Sequence, residues 1–178
     1  VGWLIFRDES ALPDELVFKV NYLGGLMPTY TLNFSKGSAM VLAQYYNMLR
    51  LGKNGYRQVM RNIISNSAYL GKLLKGSGRF ELLNDGKTFP IVAAQLKQGT
   101  NYSVFDLSSK LRERGWIIPA YTLPPNAEKT EILRIVVKEN FSRDMAEMLF
   151  QDIENACKEL GKAKPRKEKK GGKSQRIC

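Results

Sequence analysis

Histidine is absent from all 178 residues. That excludes a His-based catalytic triad within this chain, and with it the common His-containing zinc sites. Cysteine is almost absent. Cys157 and Cys178 cannot build a disulfide framework, and they suit a reducing compartment, so a cytoplasmic location is expected. Long apolar runs are missing as well: residues 116–120 and 135–137 are far too short to cross a bilayer, and no membrane association is expected. The chain also lacks paired catalytic carboxylates, CxxC, HExxH, GxGxxG and the Walker-type phosphate loop. No metal site is expected.

What remains is enough for one ordinary domain with a real core: 43% hydrophobic and 25% charged residues, as in a normal globular protein. Net charge is +11 but unevenly placed. Residues 161–178 hold eight basic side chains against a single acid, Glu168, which leaves the body only mildly basic. With Pro165, two adjacent glycines and one large apolar residue, Ile177, this tail cannot bury enough surface to order itself. Its charge suits acidic partners such as calmodulin, anionic lipid or RNA. It carries no aromatic anchor, however, and no basic surface interleaved with aromatics occurs elsewhere, so nucleic-acid binding is not expected.

Periodicity divides the chain. Residues 3–6 read as a buried strand, and residues 16–20 alternate like another. Residues 21–33 hold Gly24-Gly25 and Pro28, the composition of a shaped loop or hairpin. Ser35 stands where a helix N-cap belongs, and residues 39–51 are apolar on nearly every face, which predicts a buried helix broken at Gly52. Residues 56–74 form a long amphipathic pattern closed by Gly76 and Gly78. Strands follow at 80–83 and 90–96, then a helix at 104–114 capped by Ser103 and stopped at Gly115. Strands at 116–122 and 132–137 flank a Pro124-Pro125 loop, and a last helix covers 142–160 with Ser142 as its cap. The second block is therefore an α+β unit, a sheet packed against helices. Val1 opens straight into an apolar stretch, which reads as the interior of a longer protein.

Two constellations can carry chemistry. Asn33-Phe34-Ser35-Lys36-Gly37-Ser38 precedes a helix, where free N–H groups and the positive dipole end suit a phosphate. A plain serine cap is the commoner use of the same pattern. Arg134 interrupts the apolar strand Ile132-Leu133-Arg134-Ile135-Val136-Val137. It must face solvent or an anion, and its planar fork suits a carboxylate.

The order and spacing of several segments resemble one family. Val1-Gly2-Trp3, Ala11-Leu12-Pro13, Phe18-Lys19-Val20-Asn21-Tyr22-Leu23-Gly24-Gly25, Pro28-Thr29 and Leu32-Asn33-Phe34-Ser35-Lys36-Gly37-Ser38 are similar to the C-terminal part of glutamate decarboxylases. So are Trp116-Ile117-Ile118-Pro119-Ala120-Tyr121-Thr122, Leu133-Arg134-Ile135-Val136-Val137 and Phe141-Ser142-Arg143-Asp144. The resemblance covers residues 1–160, and its Phe-Ser-Lys-Gly-Ser wording is closer to plant-type enzymes than to bacterial ones.

That resemblance implies an α/β parent of pyridoxal-phosphate fold type I. In it this chain is the end of the large domain (1–52), a linking helix (53–78), the small C-terminal α+β domain (79–160) and a disordered basic tail (161–178). It implies pyridoxal 5'-phosphate as cofactor and conversion of L-glutamate to 4-aminobutyrate and carbon dioxide. It also implies a homo-oligomer, at least a dimer, with shared active sites. By the same resemblance Phe34 and Ser35 reach the cofactor phosphate of the neighbouring subunit, Arg134 holds the substrate α-carboxylate, and Tyr22 and Leu23 lie in a loop bordering the partner's site. The Schiff-base lysine of the family lies upstream of the segment matching Val1, so no catalytic residue is expected here and the chain alone should be inactive. Plant enzymes bind calmodulin through a tryptophan-anchored extension; the tryptophan is missing here, which puts calmodulin in doubt. The competing readings are a non-enzymatic α+β binding module with a basic tail, and a related decarboxylase of other specificity.

Overall fold

The computed structural model describes residues 5–22, 24–29 and 37–162. The chain divides into two compact units, Val1–Gly55 and Tyr56–Cys178.

In Val1–Gly55, two 3-10 turns, Glu9–Ala11 and Asp14–Leu16, precede the hairpin of β1 (Phe18–Tyr22) and β2 (Gly25–Thr29). The strands pair antiparallel, from Phe18 with Thr29 to Tyr22 with Gly25. Gly24 takes φ 84° at the turn, a conformation that suits a residue without Cβ. The strand expected at 16–20 thus starts two residues later, because Leu16 completes a 3-10 turn and its N–H donates to the Pro13 carbonyl at 3.0 Å. Of the strand expected at 3–6, Ile5 and Phe6 belong to no element. Trp3 and Leu4 lie outside the described residues.

Helix α1 spans Ala39–Gly76. The Ser38 carbonyl accepts the first intrahelical bond, from the Leu42 N–H at 2.9 Å, so Ser38 holds the cap position expected for Ser35. Residues 39–51 were expected to be buried because they are apolar all round. Instead Met40, Leu42, Tyr45, Tyr46 and Leu49 are exposed, Leu49 to 67%. The described residues supply no second layer over them. Gly52 breaks the helical path as expected, with φ 55° and ψ −174°.

Within Tyr56–Cys178, α1 buries Ile63, Ser67, Leu70, Gly71 and Leu74, a stripe at three- and four-residue spacing. Strands β3 (Phe80–Asp85), β4 (Ile91–Leu96), β5 (Ala120–Thr122) and β6 (Glu131–Val136) form one antiparallel sheet in the order β3-β4-β6-β5. Helices α2 (Val104–Arg112) and α3 (Arg143–Lys162) complete the unit. Alternation sends Val92, Ala94, Leu133 and Ile135 into the core with Leu107, Leu149 and Ile153 of the helices.

The caps expected at Ser103 and Ser142 form. Ser103 and Asp106 make a reciprocal capping box, with Ser103 N–H to Asp106 Oδ2 at 3.0 Å and Asp106 N–H to Ser103 Oγ at 3.2 Å. Ser142 Oγ accepts from the Met145 N–H at 3.1 Å. The strand expected over 116–122 shrinks to Ala120–Thr122. Gly115 takes φ 87° and Trp116 N–H returns to the Leu111 carbonyl at 3.1 Å, so Trp116 closes α2 rather than opening a strand. Among the described residues, no helix is long and apolar enough to cross a membrane.

Candidate functional site

Arg134 sits at the fourth position of β6, paired with Ala93 of β4. Its neighbours Leu133 and Ile135 point into the core, so alternation turns Arg134 to the opposite face, where it is exposed. Its backbone N–H is anchored to the Pro119 carbonyl at 3.0 Å. The guanidinium Cζ lies 5.7 Å from the centroid of the Tyr121 ring. Among the described residues, no carboxylate or carbonyl takes its side-chain N–H donors. A planar, permanently charged fork with free donors on an open sheet face is equipped to bind a carboxylate in two-pronged fashion.

Of the other expected site residues, Tyr22 ends β1 in register with Gly25. Leu23, Phe34 and Ser35 lie outside the described residues, and so do residues 163–178 of the basic tail. The described end of the phosphate segment is compatible with an anion. The first-turn N–H groups of α1 have no intrahelical acceptor, no acidic residue occupies that turn, and Gly37 has open space where a Cβ would stand.

No described lysine has the surroundings of a covalent catalyst. Such a lysine is desolvated so that its amine is neutral. The described lysines other than Lys110 are exposed. Lys110, half-buried, pairs with Glu113 at 2.7 Å and Glu159 at 3.2 Å, and the hydrogen bond it donates to Glu113 leads in holding its ammonium above the ordinary lysine range. That is the reverse of what a nucleophilic amine needs. Among the described residues, no group of three or more Cys, Asp or Glu could hold a metal ion.

Two features carried no signal that sequence reasoning used. An ion network joins α2 to α3: Arg114 reaches Asp152 at 3.0 Å and Glu159 at 2.8 Å, while Trp116 Nε1 donates to Asp152 at 2.8 Å. These partners are 36 to 45 residues apart, beyond any local pattern. The second is an open groove of about 1300 Å³ beside α1 and β3, lined by Lys72, Lys75, Lys87, Lys97 and Arg143 among others. None of the expected site residues lines it. Lys87 is paired with Asp85 at 2.7 Å, and Arg143 stacks 4.2 Å from the Tyr69 ring. Buried Cys157 is a structural thiol, since desolvation raises its pKa and keeps it protonated.

Comparison with known proteins shows one family. Residues 1–97 match the pyridoxal-dependent decarboxylase conserved domain. Over 166 residues the chain is 49% identical to glutamate decarboxylase of Solanum lycopersicum, covering 93% of this chain and 33% of that relative. Among solved structures, glutamate decarboxylase of Lactobacillus brevis is 39% identical with a TM-score of 0.84, over 89% of this chain and 36% of the other. Sphingosine-1-phosphate lyase of Burkholderia pseudomallei, at 19% identity, shares the fold alone, with a TM-score of 0.69 over 87% of this chain and 33% of the other. The chain thus spans about a third of the length of the curated relatives it matches. Its fold is the α/β fold of the pyridoxal-phosphate fold type I enzymes.

Proposed function

The chain belongs to the pyridoxal-dependent decarboxylase family, and on that premise we propose that it is the C-terminal part of a glutamate decarboxylase using pyridoxal 5'-phosphate. The observation that carries this reading is the 49% identity to a plant glutamate decarboxylase across 93% of the chain. The same observation disfavours a non-enzymatic module presenting a basic tail.

In this reading residues 1–52 close the large domain, 53–78 link, 79–160 form the small domain and 161–178 are the basic tail. Ser35 and Phe34, with the free N–H groups that open α1, hold the cofactor phosphate of the neighbouring subunit. Tyr22 and Leu23 border the site of a second subunit, so the parent is a homo-oligomer, and the chain's scarcity of cysteine suits the cytoplasm. Pyridoxal phosphate, when bound, supplies the electron sink for the pair left as the α-carboxylate departs. Arg134 contributes by binding and orienting that carboxylate through its free guanidinium edge. A tail without tryptophan or phenylalanine makes calmodulin a weak, salt-sensitive partner at most.

The test is carbon dioxide release from L-glutamate by the full-length protein with pyridoxal phosphate, beside the 178-residue chain alone and a panel of other amino acids. The full-length protein is expected to favour glutamate. The chain alone is expected to be inert, because its described lysines are solvated or salt-bridged. Preference for another amino acid would replace the substrate, and turnover by the chain alone would overturn its reading as a part.

A further inference from the structure

We infer that Tyr121 is a positioning residue for Arg134, its ring holding the guanidinium in place while leaving every N–H donor free. This rests on the reading of Arg134 as the carboxylate anchor. In the β5–β6 ladder Tyr121 stands opposite Ile132, and Arg134 lies two residues further along β6. Side chains two apart on a strand share a face, and a diagonal cross-strand neighbour is within reach of an aromatic or a long side chain. The 5.7 Å separation of Cζ from the ring centroid falls inside the reach of a cation–π contact, about 6 Å.

The choice of an aromatic partner has a chemical consequence. An exposed arginine is long and samples many rotamers, and something must restrict it if it is to meet a carboxylate in one geometry. A neighbouring Asp or Glu would do so by consuming the fork and neutralising its charge. A ring face attracts the cation without accepting its in-plane N–H bonds, so the edge of the fork stays available. Tyr121 is itself restrained: it is half-buried, and its cross-strand partner Ile132 is buried although it stands on the same face as exposed Arg134. Among the described residues no group bonds the Tyr121 hydroxyl, so the ring is the operative part.

The second arginine–ring pair in the unit shows the contrast. Arg143 lies 4.2 Å from the Tyr69 centroid, but the Tyr69 hydroxyl also donates to Glu147 at 2.8 Å, so that tyrosine is tied into the α1–α3 contact. It serves as a control for losing an arginine–ring contact away from Arg134.

The experiment uses the full-length protein and the variants Tyr121→Phe, Tyr121→Leu, Tyr121→Val, Arg134→Ala, Arg134→Ala/Tyr121→Leu and Tyr69→Leu. It reads KM and kcat for glutamate, and the dissociation constant of glutarate measured by calorimetry on cofactor-free protein. Tyr121→Phe should stay within about twofold of the parent. Loss of the ring in Tyr121→Leu or Tyr121→Val should raise KM and the glutarate constant by roughly three- to tenfold, the scale of a partly exposed cation–π contact, with a smaller change in kcat. Tyr69→Leu should leave both constants unchanged. In the Arg134→Ala background Tyr121→Leu should add nothing, because the residue acts only through the arginine. If Arg134→Ala itself leaves both constants unchanged, the reading of Arg134 fails and this inference with it. If Arg134→Ala is damaging while the folded Leu and Val variants behave like Phe, or while the two losses multiply, the positioning role of Tyr121 is overturned and the reading of Arg134 stands. Two aliphatic replacements of different shape ensure that one misfolded variant does not decide the matter.

Discussion

A close backbone approach in Tyr56–Cys178 joins α1 to the end of β3, and it makes a prediction in which two physical effects have opposite signs. Gly71 lies inside the helix, near the C-terminal end of α1, where alanine is favoured over glycine by about 1 kcal/mol. Yet a Cβ at Gly71 would stand 2.5 Å from the carbonyl oxygen of Asp85 and 3.2 Å from its carbon, where ordinary contact begins at 3.4 Å. The obstacle is backbone, which cannot rotate away as a side-chain tip does. Relieving it means moving helix and turn apart by most of an ångström, and overpacking of this kind costs about 1–3 kcal/mol. A 2.5 Å approach to backbone belongs in the upper part of that range, about 2–3 kcal/mol, so sterics should win and leave Gly71→Ala destabilised by roughly 1–2 kcal/mol. Gly115 isolates the other effect: φ is 87° and nothing lies within 4 Å of its missing Cβ. Gly115→Ala should therefore cost only the left-handed backbone penalty, about 1–2 kcal/mol. Gly86 combines both, with φ 76° and the Ser67 backbone 2.9 Å from a built Cβ, so Gly86→Ala should cost more than either. The assay is thermal unfolding followed by circular dichroism. In a domain of roughly 100 residues each kcal/mol lowers Tm by about 4–8 °C. A neutral or stabilised Gly71→Ala would mean that propensity outweighs contact and that the helix does not touch the turn. A Gly86→Ala no worse than Gly115→Ala would refute the same contact from its other side.

Two further predictions concern charge and the cofactor. The Glu159 carboxyl is held below its ordinary range chiefly by the hydrogen bond from Lys110, with Arg114 adding to it. A depressed carboxylate contributes stability that is present above its unfolded pKa, about 4.3, and is lost as pH falls through its lower folded value. The difference in urea midpoint between the parent and Glu159→Gln should therefore be constant from neutral pH down to about 5 and vanish in stronger acid; a difference that grows with acid would reverse the sign of the argument. Ser35→Ala in the full-length protein should weaken retention of pyridoxal phosphate by about 1–3 kcal/mol, one hydrogen bond to a charged group, without lowering the melting temperature of the cofactor-free form. Unchanged retention would reduce Ser35 to chain filler.

Legibility followed the range of each interaction. The capping box at Ser103 and Asp106 spans three residues and is complete within its own sequence window, so the start of α2 was readable at Ser103. The outward turn of Arg134 was readable for the same reason, because alternation with Leu133 and Ile135 leaves it no other face. Trp116 was misread because its aliphatic and aromatic neighbours look like a strand, while the deciding bond runs back to Leu111 through Gly115. Its ring then turns to Phe141, 6.5 Å away, and its N–H to Asp152, neither of which a local window contains. Likewise the pattern in residues 16–20 carries no mark that Leu16 closes a 3-10 turn, since that bond goes to Pro13. At the start of α1, Ser35 and Ser38 both satisfy the composition of a cap, and only the bond from the Leu42 N–H to the Ser38 carbonyl separates them.

The exposed helix of residues 39–51 is a different kind of mismatch. Composition points to a buried helix; the helix forms, and its exposure is where the structure departs. Covering a side chain such as leucine or methionine is worth about 1.5–3 kcal/mol, so leaving Met40, Leu42, Tyr45, Tyr46 and Leu49 in water sacrifices a sum comparable to the whole stability of a small domain. A solvated helix offsets that with charged pairs along its surface. This one has Arg50 as its only ionisable group besides two tyrosines, so it holds no such pairs. The pattern is therefore that of a buried element whose surrounding layers are not among the described residues. If the chain is part of a decarboxylase as proposed, the regions of the relatives that it does not span are the natural source of those layers.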